Sequence, residues 1–169
     1  MRVIDYNGTG RWSRDGIITR YAEYARRFHV STPRDLTPSE FHQAETTWVY
    51  PVMVQVIEGI LAGDIACAEV GIEFIEQDGS FPFGRILKSN TARALRRSDI
   101  MLPEQQERIR RRVASMLSSE YLPREFRQYA KLARKLGMGD FLSTHQHTLN
   151  LANPWVAHYL EYFTGRPGG

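Results

Sequence analysis

The chain of 169 residues is short of several things at once, and each shortage removes a class of explanation. It has one cysteine, Cys67, so neither an internal disulfide nor a cysteine-rich zinc site is available. The apolar neighbours of Cys67 point to an inert buried thiol. Long hydrophobic runs are missing too. The longest apolar stretch, Trp48 to Ile60, is broken by Pro51, Gln55, Glu58 and Gly59, well short of the about 18 residues a membrane span needs. The opening residues, MRVIDYNGTGRW, lack the apolar core of a signal peptide. A cytoplasmic protein is therefore expected, in which the sequon Asn7-Gly8-Thr9 has no meaning.

Enzyme signatures are equally scarce. There is no phosphate-binding Gly-Lys-Ser/Thr loop, no Gly-x-Gly-x-x-Gly after a strand, no His-Glu-x-x-His and no Gly-x-Ser-x-Gly. A non-enzymatic role with no cofactor is the first expectation. The last shortage is of one sign of charge. Residues 35–84 hold nine acids and no Lys or Arg, whereas residues 85–135 hold fourteen Lys or Arg against five acids. Blocks of this kind either present separate faces to partners or meet in the fold and cancel.

What is present reads mostly as helix. Ile17, Ile18, Tyr21, Tyr24, Ala25 and Phe28 have the spacing of one buried helical face, opened by Ser13 or Asp15. Thr37-Pro38-Ser39-Glu40 has the form of a capping box with proline at the first position, predicting a helix to about Tyr50 and a second one beyond Pro51. A buried strand is the rival reading for the β-branched and aromatic run Trp48 to Ile57. Gly63-Asp64 opens a helix to about Gln77 that is apolar on all but a stripe of Glu69, Glu73 and Glu76, and it is the expected core element. Those three glutamates are expected to be its wet side. Further starts fall at Pro82, Pro103 and Pro123, the last helix ending at Gly137. A loose segment follows, and then Asn153-Pro154 opens a helix with an aromatic stripe of Trp155, Tyr159, Tyr162 and Phe163. That stripe suits a core, or a docking surface.

Offset by 41 residues the chain weakly echoes itself: Phe81-Pro82 meets Leu122-Pro123, and Ala92-Arg93-x-Leu95 meets Ala133-Arg134-x-Leu136. Helix, short turn and proline-started helix thus occur twice over residues 64–136, a layout similar to HEAT and armadillo repeats. The expected fold is all-α: helical hairpins in a HEAT- or armadillo-like right-handed array, or an irregular bundle of about seven helices. Residues 1–15 are expected to be extended or coil, 16–164 one helical domain, and 165–169 a flexible tail.

Within that layout, helix 82–97 should bury Phe83, Leu87, Asn90 and Ala94, flanked by Ile86 and Leu95, and keep Arg85, Lys88, Arg93 and Arg96 wet. Glu104 with Arg108, and Glu107 with Arg111, are i, i+4 pairs that neutralise part of the next helix. Second helices of successive repeats line one surface, which nominates Arg85, Arg93, Arg96, Arg124, Arg127, Lys131 and Arg134 as a site for an acidic protein segment or for phosphates. Aromatic side chains for stacking on bases are scarce along that strip, namely Phe83, Tyr121 and Tyr129. Three readings follow in order. The first is an interaction module for a protein partner or a second copy, with no membrane contact. The second is a nucleic-acid-binding protein. The third is a small metal-dependent hydrolase using His42, His145 or His147 with nearby carboxylates. His145 and His147 share a side only if their segment is extended, and His42 with Glu45 shares a face only on a helix.

Overall fold

The computed structural model describes residues 1–165. The expected flexible tail, 165–169, lies outside the described residues from 166 onward. The chain divides into two compact units, Met1–Met101 and Leu102–Gly169. Eight α-helices and one small three-stranded sheet occur among the described residues. The architecture is that of an irregular, mostly helical bundle.

In the first unit, β1 (Arg2–Asp5) pairs in parallel with β3 (Thr46–Val49), and β2 (Glu40–Gln43) pairs antiparallel with the other side of β3. Helices α1 (Arg14–Arg27), α2 (Val52–Leu61), α3 (Ile65–Glu76) and α4 (Gly84–Ser98) follow the chain around them. Ser13 caps α1 by accepting the Gly16 N–H, and Asp64 caps α3 by accepting those of Ala66 and Cys67. These are the positions that the cap residues mark in the sequence. Helix α3 packs against α1, α2 and α4, and its residues Ala66 through Ile75 are all buried. It is the core element its composition predicts.

The helix expected from residue 37 to Tyr50 is instead a β-hairpin; the rival strand reading for Trp48 to Ile57 holds only at Trp48 and Val49, and residues 52–57 are helical. Two local causes are visible. Thr37 spends its hydroxyl and its N–H on Asp35 Oδ1, at 2.6 and 2.9 Å, closing an Asx-type turn where a capping box would have needed the hydroxyl as acceptor. Residues 46–49 are β-branched or aromatic, and Thr47 and Val49 turn inward while their neighbours stay half-exposed. That alternation suits a strand, and β1 supplies its partner from more than forty residues away. The helix beyond Pro51 forms as expected, and its first N–H, at Val52, is taken by Asn7 Oδ1 at 2.8 Å. Asn7 also donates to the Tyr50 carbonyl, so the turn after β1 ties the sheet to the start of α2.

Helix α4 is rotated from its expected setting. Its buried residues are Leu87, Lys88, Thr91, Ala92, Ala94 and Leu95, while Phe83 and Ile86 are exposed. Lys88 is buried because Asp78, in the turn after α3, reaches its Nζ at 2.7 Å. A paired ammonium can be buried where an unpaired one cannot.

The second unit is helical throughout its regular structure. It contains α5 (Pro103–Ser118), α6 (Phe126–Leu136), α7 (Gly139–His145) and α8 (Pro154–Thr164), with a 3-10 turn at Gln146–Thr148. Helix α5 packs on α6 and α7, and α8 packs on both of those as well. The segment expected to be loose therefore holds a short helix, anchored by buried Leu142. Arg110 donates to the carbonyls of Leu136 and Gly137, satisfying acceptors left over at the end of α6.

Candidate functional site

Helix α6 turns Phe126, Tyr129, Ala130, Leu132 and Ala133 into the core. Helix α6 begins at Phe126, three residues later than expected from Pro123, so Arg127 and Lys131 stand one turn apart on its outer side while Arg124 sits in the turn before it. Facing them is α8. Asn153 fixes its start by accepting the Trp155 N–H at 3.0 Å, with Pro154 at the first position. Val156 and Phe163 are its buried residues, which leaves Trp155, His158, Tyr159 and Tyr162 toward its rim.

Between the two helices lies a cleft of about 770 Å³. Its back is aliphatic: Leu122, Pro123 and Ala130. Arg124, Arg127 and Lys131 form one wall, and Trp155, His158, Tyr159 and Tyr162 the other. That size and mixture, an apolar concavity with a few convergent polar groups, is typical of binding pockets. Trp155 is 65 % exposed. The Tyr159 ring stands edge-on to Phe126, with centroids 4.7 Å apart. Burial holds the Tyr159 phenol above its ordinary pKa of 10.0, with Arg127 opposing and Tyr162 reinforcing. Tyr159 therefore stays a neutral hydroxyl donor at neutral pH. Among the described residues, Arg124, Arg127 and Lys131 join no carboxylate in an ion pair. Beyond Tyr162 the cleft is adjoined by a depression of about 320 Å³ lined by Arg134, His158, Glu161, Tyr162 and Gly165. The Arg134 guanidinium lies 4.5 Å over the Tyr162 ring, a cation–π contact.

Of the seven cationic candidates, the second unit holds Arg127, Lys131 and Arg134 on α6 and Arg124 in the turn that leads into it. Arg85, Arg93 and Arg96 are carried by α4 of the first unit. Arg85 is exposed, Arg93 and Arg96 are half-buried, and Arg93 donates to Asn90 Oδ1 at 2.8 Å. Sequence reasoning assigned the α8 stripe to the core first and to a docking surface second; of its members Phe163 is buried, whereas Trp155, Tyr159 and Tyr162 line the cleft together with His158, which that reasoning missed.

The histidines do not converge. His42 lies on β2, with Nδ1 2.8 Å from Thr47 Oγ1 and Nε2 3.4 Å from Glu40, so the helical face it was to share with Glu45 does not exist. His145 belongs to α7 and donates Nδ1–H to the Phe141 carbonyl at 2.8 Å. His147 follows in the 3-10 turn, so the extended segment that would align the two imidazoles is not formed. No cluster of three or more metal-ligating side chains occurs among the described residues.

Two of the three α3 glutamates are not on a wet stripe. Glu73 is 6 % and Glu69 5 % exposed. Glu73 Oε2 accepts from Arg11 at 2.7 Å and from Arg20 at 2.8 Å, and Arg20 lies 4.3 Å over the Trp12 ring. Glu69 pairs with Arg27 at 3.3 Å. Early arginines thus neutralise acids of the middle block inside one unit. Burial and the Glu73 carboxylate also raise the pKa of the adjacent Tyr24 phenol.

No protein-family model, no curated protein and no solved structure matches the chain. No helix among the described residues is long and apolar enough to cross a membrane. The function is therefore argued from the geometry of the cleft.

Proposed function

We propose that the protein is a non-enzymatic interaction module whose second unit receives an acidic segment of a protein partner in the cleft between α6 and α8. One observation carries the reading: three cations with no carboxylate partner among the described residues stand opposite an exposed aromatic wall over an aliphatic floor. The cations supply attraction and orientation, and the apolar floor and rings supply the desolvated contact from which affinity comes. Residues 102–169 carry ten Lys or Arg against six acids, whereas residues 1–101 carry twelve against thirteen. The surplus positive charge of the chain therefore belongs to the unit that holds the cleft.

The test is a fluorescence-anisotropy titration with a labelled glutamate-rich peptide containing one phenylalanine. Binding weakens several-fold between about 50 and 200 mM salt as the charges are screened. Arg124→Ala, Arg127→Ala and Lys131→Ala each weaken it by up to about fivefold, as expected of pairs at an exposed rim. Absence of binding at low salt overturns the reading. A single-stranded oligonucleotide that binds more tightly than the peptide, and whose salt slope drops in the same variants, replaces it with the nucleic-acid alternative.

A further inference from the structure

The walls of the cleft carry more information than its net charge. Successive rings along α8 stand edge to face: Trp155 against His158 at 85°, His158 against Tyr159 at 70°, Tyr159 against Tyr162 at 87°. Such a series presents no ladder of parallel faces on which a run of bases would stack. One face of Tyr162 is already covered by Arg134, and Tyr159 is engaged by Phe126 and Phe163. What remains open is a concavity, floored by Leu122, Pro123 and Ala130 and walled by exposed Trp155. A bulky apolar side chain fits there, because fully removing it from water is favourable and neither floor nor Trp155 offers charge.

Charge is also distributed unevenly along the groove. The main cleft has three cations and no carboxylate in its walls. The adjoining depression past Tyr162 has Glu161 together with Arg134. A carboxylate of the occupant is attracted at the first end and meets a mixed field with a repelling Glu161 at the second. The length of α8, 11 residues at about 1.5 Å each, matches roughly five residues of extended chain at about 3.3 Å each.

We infer that the occupant is a short extended peptide with one bulky apolar anchor and acidic residues on one side of that anchor only. The anchor enters the cavity beside Trp155, the acids lie along Arg124, Arg127 and Lys131, and the Glu161 end takes neutral or basic residues. This rests on the proposed reading of the cleft as a receiver of acidic segments, and it adds composition and polarity to it.

Labelled heptapeptides test it: three glutamates, phenylalanine and three serines, in that order and reversed, with two controls. One control has alanine in place of phenylalanine, and the other has glutamates on both sides. One of the two one-sided orders is expected to bind at least tenfold tighter than the alanine control and severalfold tighter than the two-sided peptide. Trp155→Ala, at an exposed position where folding is not at stake, removes the phenylalanine advantage and leaves the alanine control unchanged. Glu161→Gln raises affinity for the two-sided peptide and not for the preferred one. Equal binding of phenylalanine and alanine peptides overturns the anchor while leaving acidic recognition intact. Equal binding of both orders and of the two-sided peptide overturns the polarity. Failure of every peptide overturns the proposed function itself, and a thymidine oligonucleotide that displaces the preferred peptide at equal concentration overturns a peptide occupant.

Discussion

Replacing Glu73 with alanine should be among the most damaging single changes in the first unit, and the structure says why. The carboxylate is the acceptor for Arg20 Nη1 and Arg11 Nη2. Arg20 is 9 % exposed and its Nε already has no hydrogen-bond partner. Without Glu73 it keeps the hydrogen bond from Nη2 to the Arg11 carbonyl at 2.6 Å, the neighbouring Tyr24 hydroxyl and the Trp12 ring, none of which is an anion. A buried cation stripped of its anion costs about 3–5 kcal/mol, a large share of a total stability of about 5–15 kcal/mol. With a urea dependence of about 2 kcal/mol per molar, the midpoint falls by roughly 2 M. Arg11→Ala is the internal control, because its side chain is 58 % exposed and its ion pair is worth at most about 1 kcal/mol. The double variant Arg20→Met with Glu73→Leu restores most of the loss, since removing both charges also removes the cost of burying them. The assay is equilibrium urea unfolding followed by fluorescence of buried Trp12. If Glu73→Ala costs no more than Arg11→Ala, or if the double variant is worse than Glu73→Ala, the network does not hold the unit as argued.

Four other outcomes follow from particular contacts. Stability declines at alkaline pH: burial and then the Asp64 hydrogen bond push the Tyr21 phenol above its ordinary 10.0, and burial pushes the Cys67 thiol above 9.0. The unfolded chain therefore loses protons that the native state keeps, and stability present below about pH 9 is lost as pH rises; Tyr21→Phe should flatten the pH slope above 10 in urea midpoints. Gly59→Ala destabilises by about 1–3 kcal/mol through overpacking, because a Cβ there collides with Cys67 Sγ, and adding Cys67→Ala in the same chain recovers most of that in thermal melts. Asp64→Ala loses the α3 cap and the 2.5 Å hydrogen bond from the Tyr21 hydroxyl, about 2 kcal/mol together by urea titration. The triple variant Arg124→Ala, Arg127→Ala, Lys131→Ala changes unfolding free energy by less than about 1 kcal/mol, so a large loss would show that those cations serve the fold.

Local chemistry made some elements legible and long-range pairing hid others. Helices α3, α5 and α8 begin at Asp64, Pro103 and Asn153-Pro154 because caps and first-turn prolines act within a few residues. The hairpin at 40–49 was misread because β1, the second partner of β3, lies more than forty residues earlier, and helix signals at Thr37 were outweighed by that pairing. The setting of α4 was missed for a similar reason: Lys88 looks like a wet-face residue until Asp78 is found beside it. At the site, the i, i+4 spacing of Arg127 and Lys131 was readable from α6 alone, whereas Arg124 falls in the turn before the helix that Pro123 was expected to start. The aromatic wall had a usable signal that periodicity holds. At about 100° per residue Val156 and Phe163 nearly coincide, while Trp155, His158 and Tyr162 centre roughly a third of a turn away. More aromatic surface lies on that helix than its core-facing side can cover.

The division of sign along the chain takes a different meaning once the units are distinguished. The acidic stretch ends at residue 84, but the first unit continues to Met101, and its acids find cations on both sides of them in sequence. Glu73 takes Arg11 and Arg20, Glu69 takes Arg27, and Asp78 takes Lys88. Cancellation therefore operates, and it operates within one unit through three arginines that precede the acidic stretch and a lysine that follows it. The late cations are divided as well: five belong to the near-neutral first unit, and those on α6 stand over an apolar cleft with no carboxylate in its walls. Charges buried against each other orient a core, whereas under the proposed function the charges beside exposed Trp155 orient a ligand. Raising the ionic strength separates the two cases, because the Glu73 network is screened little and the cleft strongly. Peptide affinity should accordingly collapse over a salt range in which the urea midpoint of the first unit stays fixed.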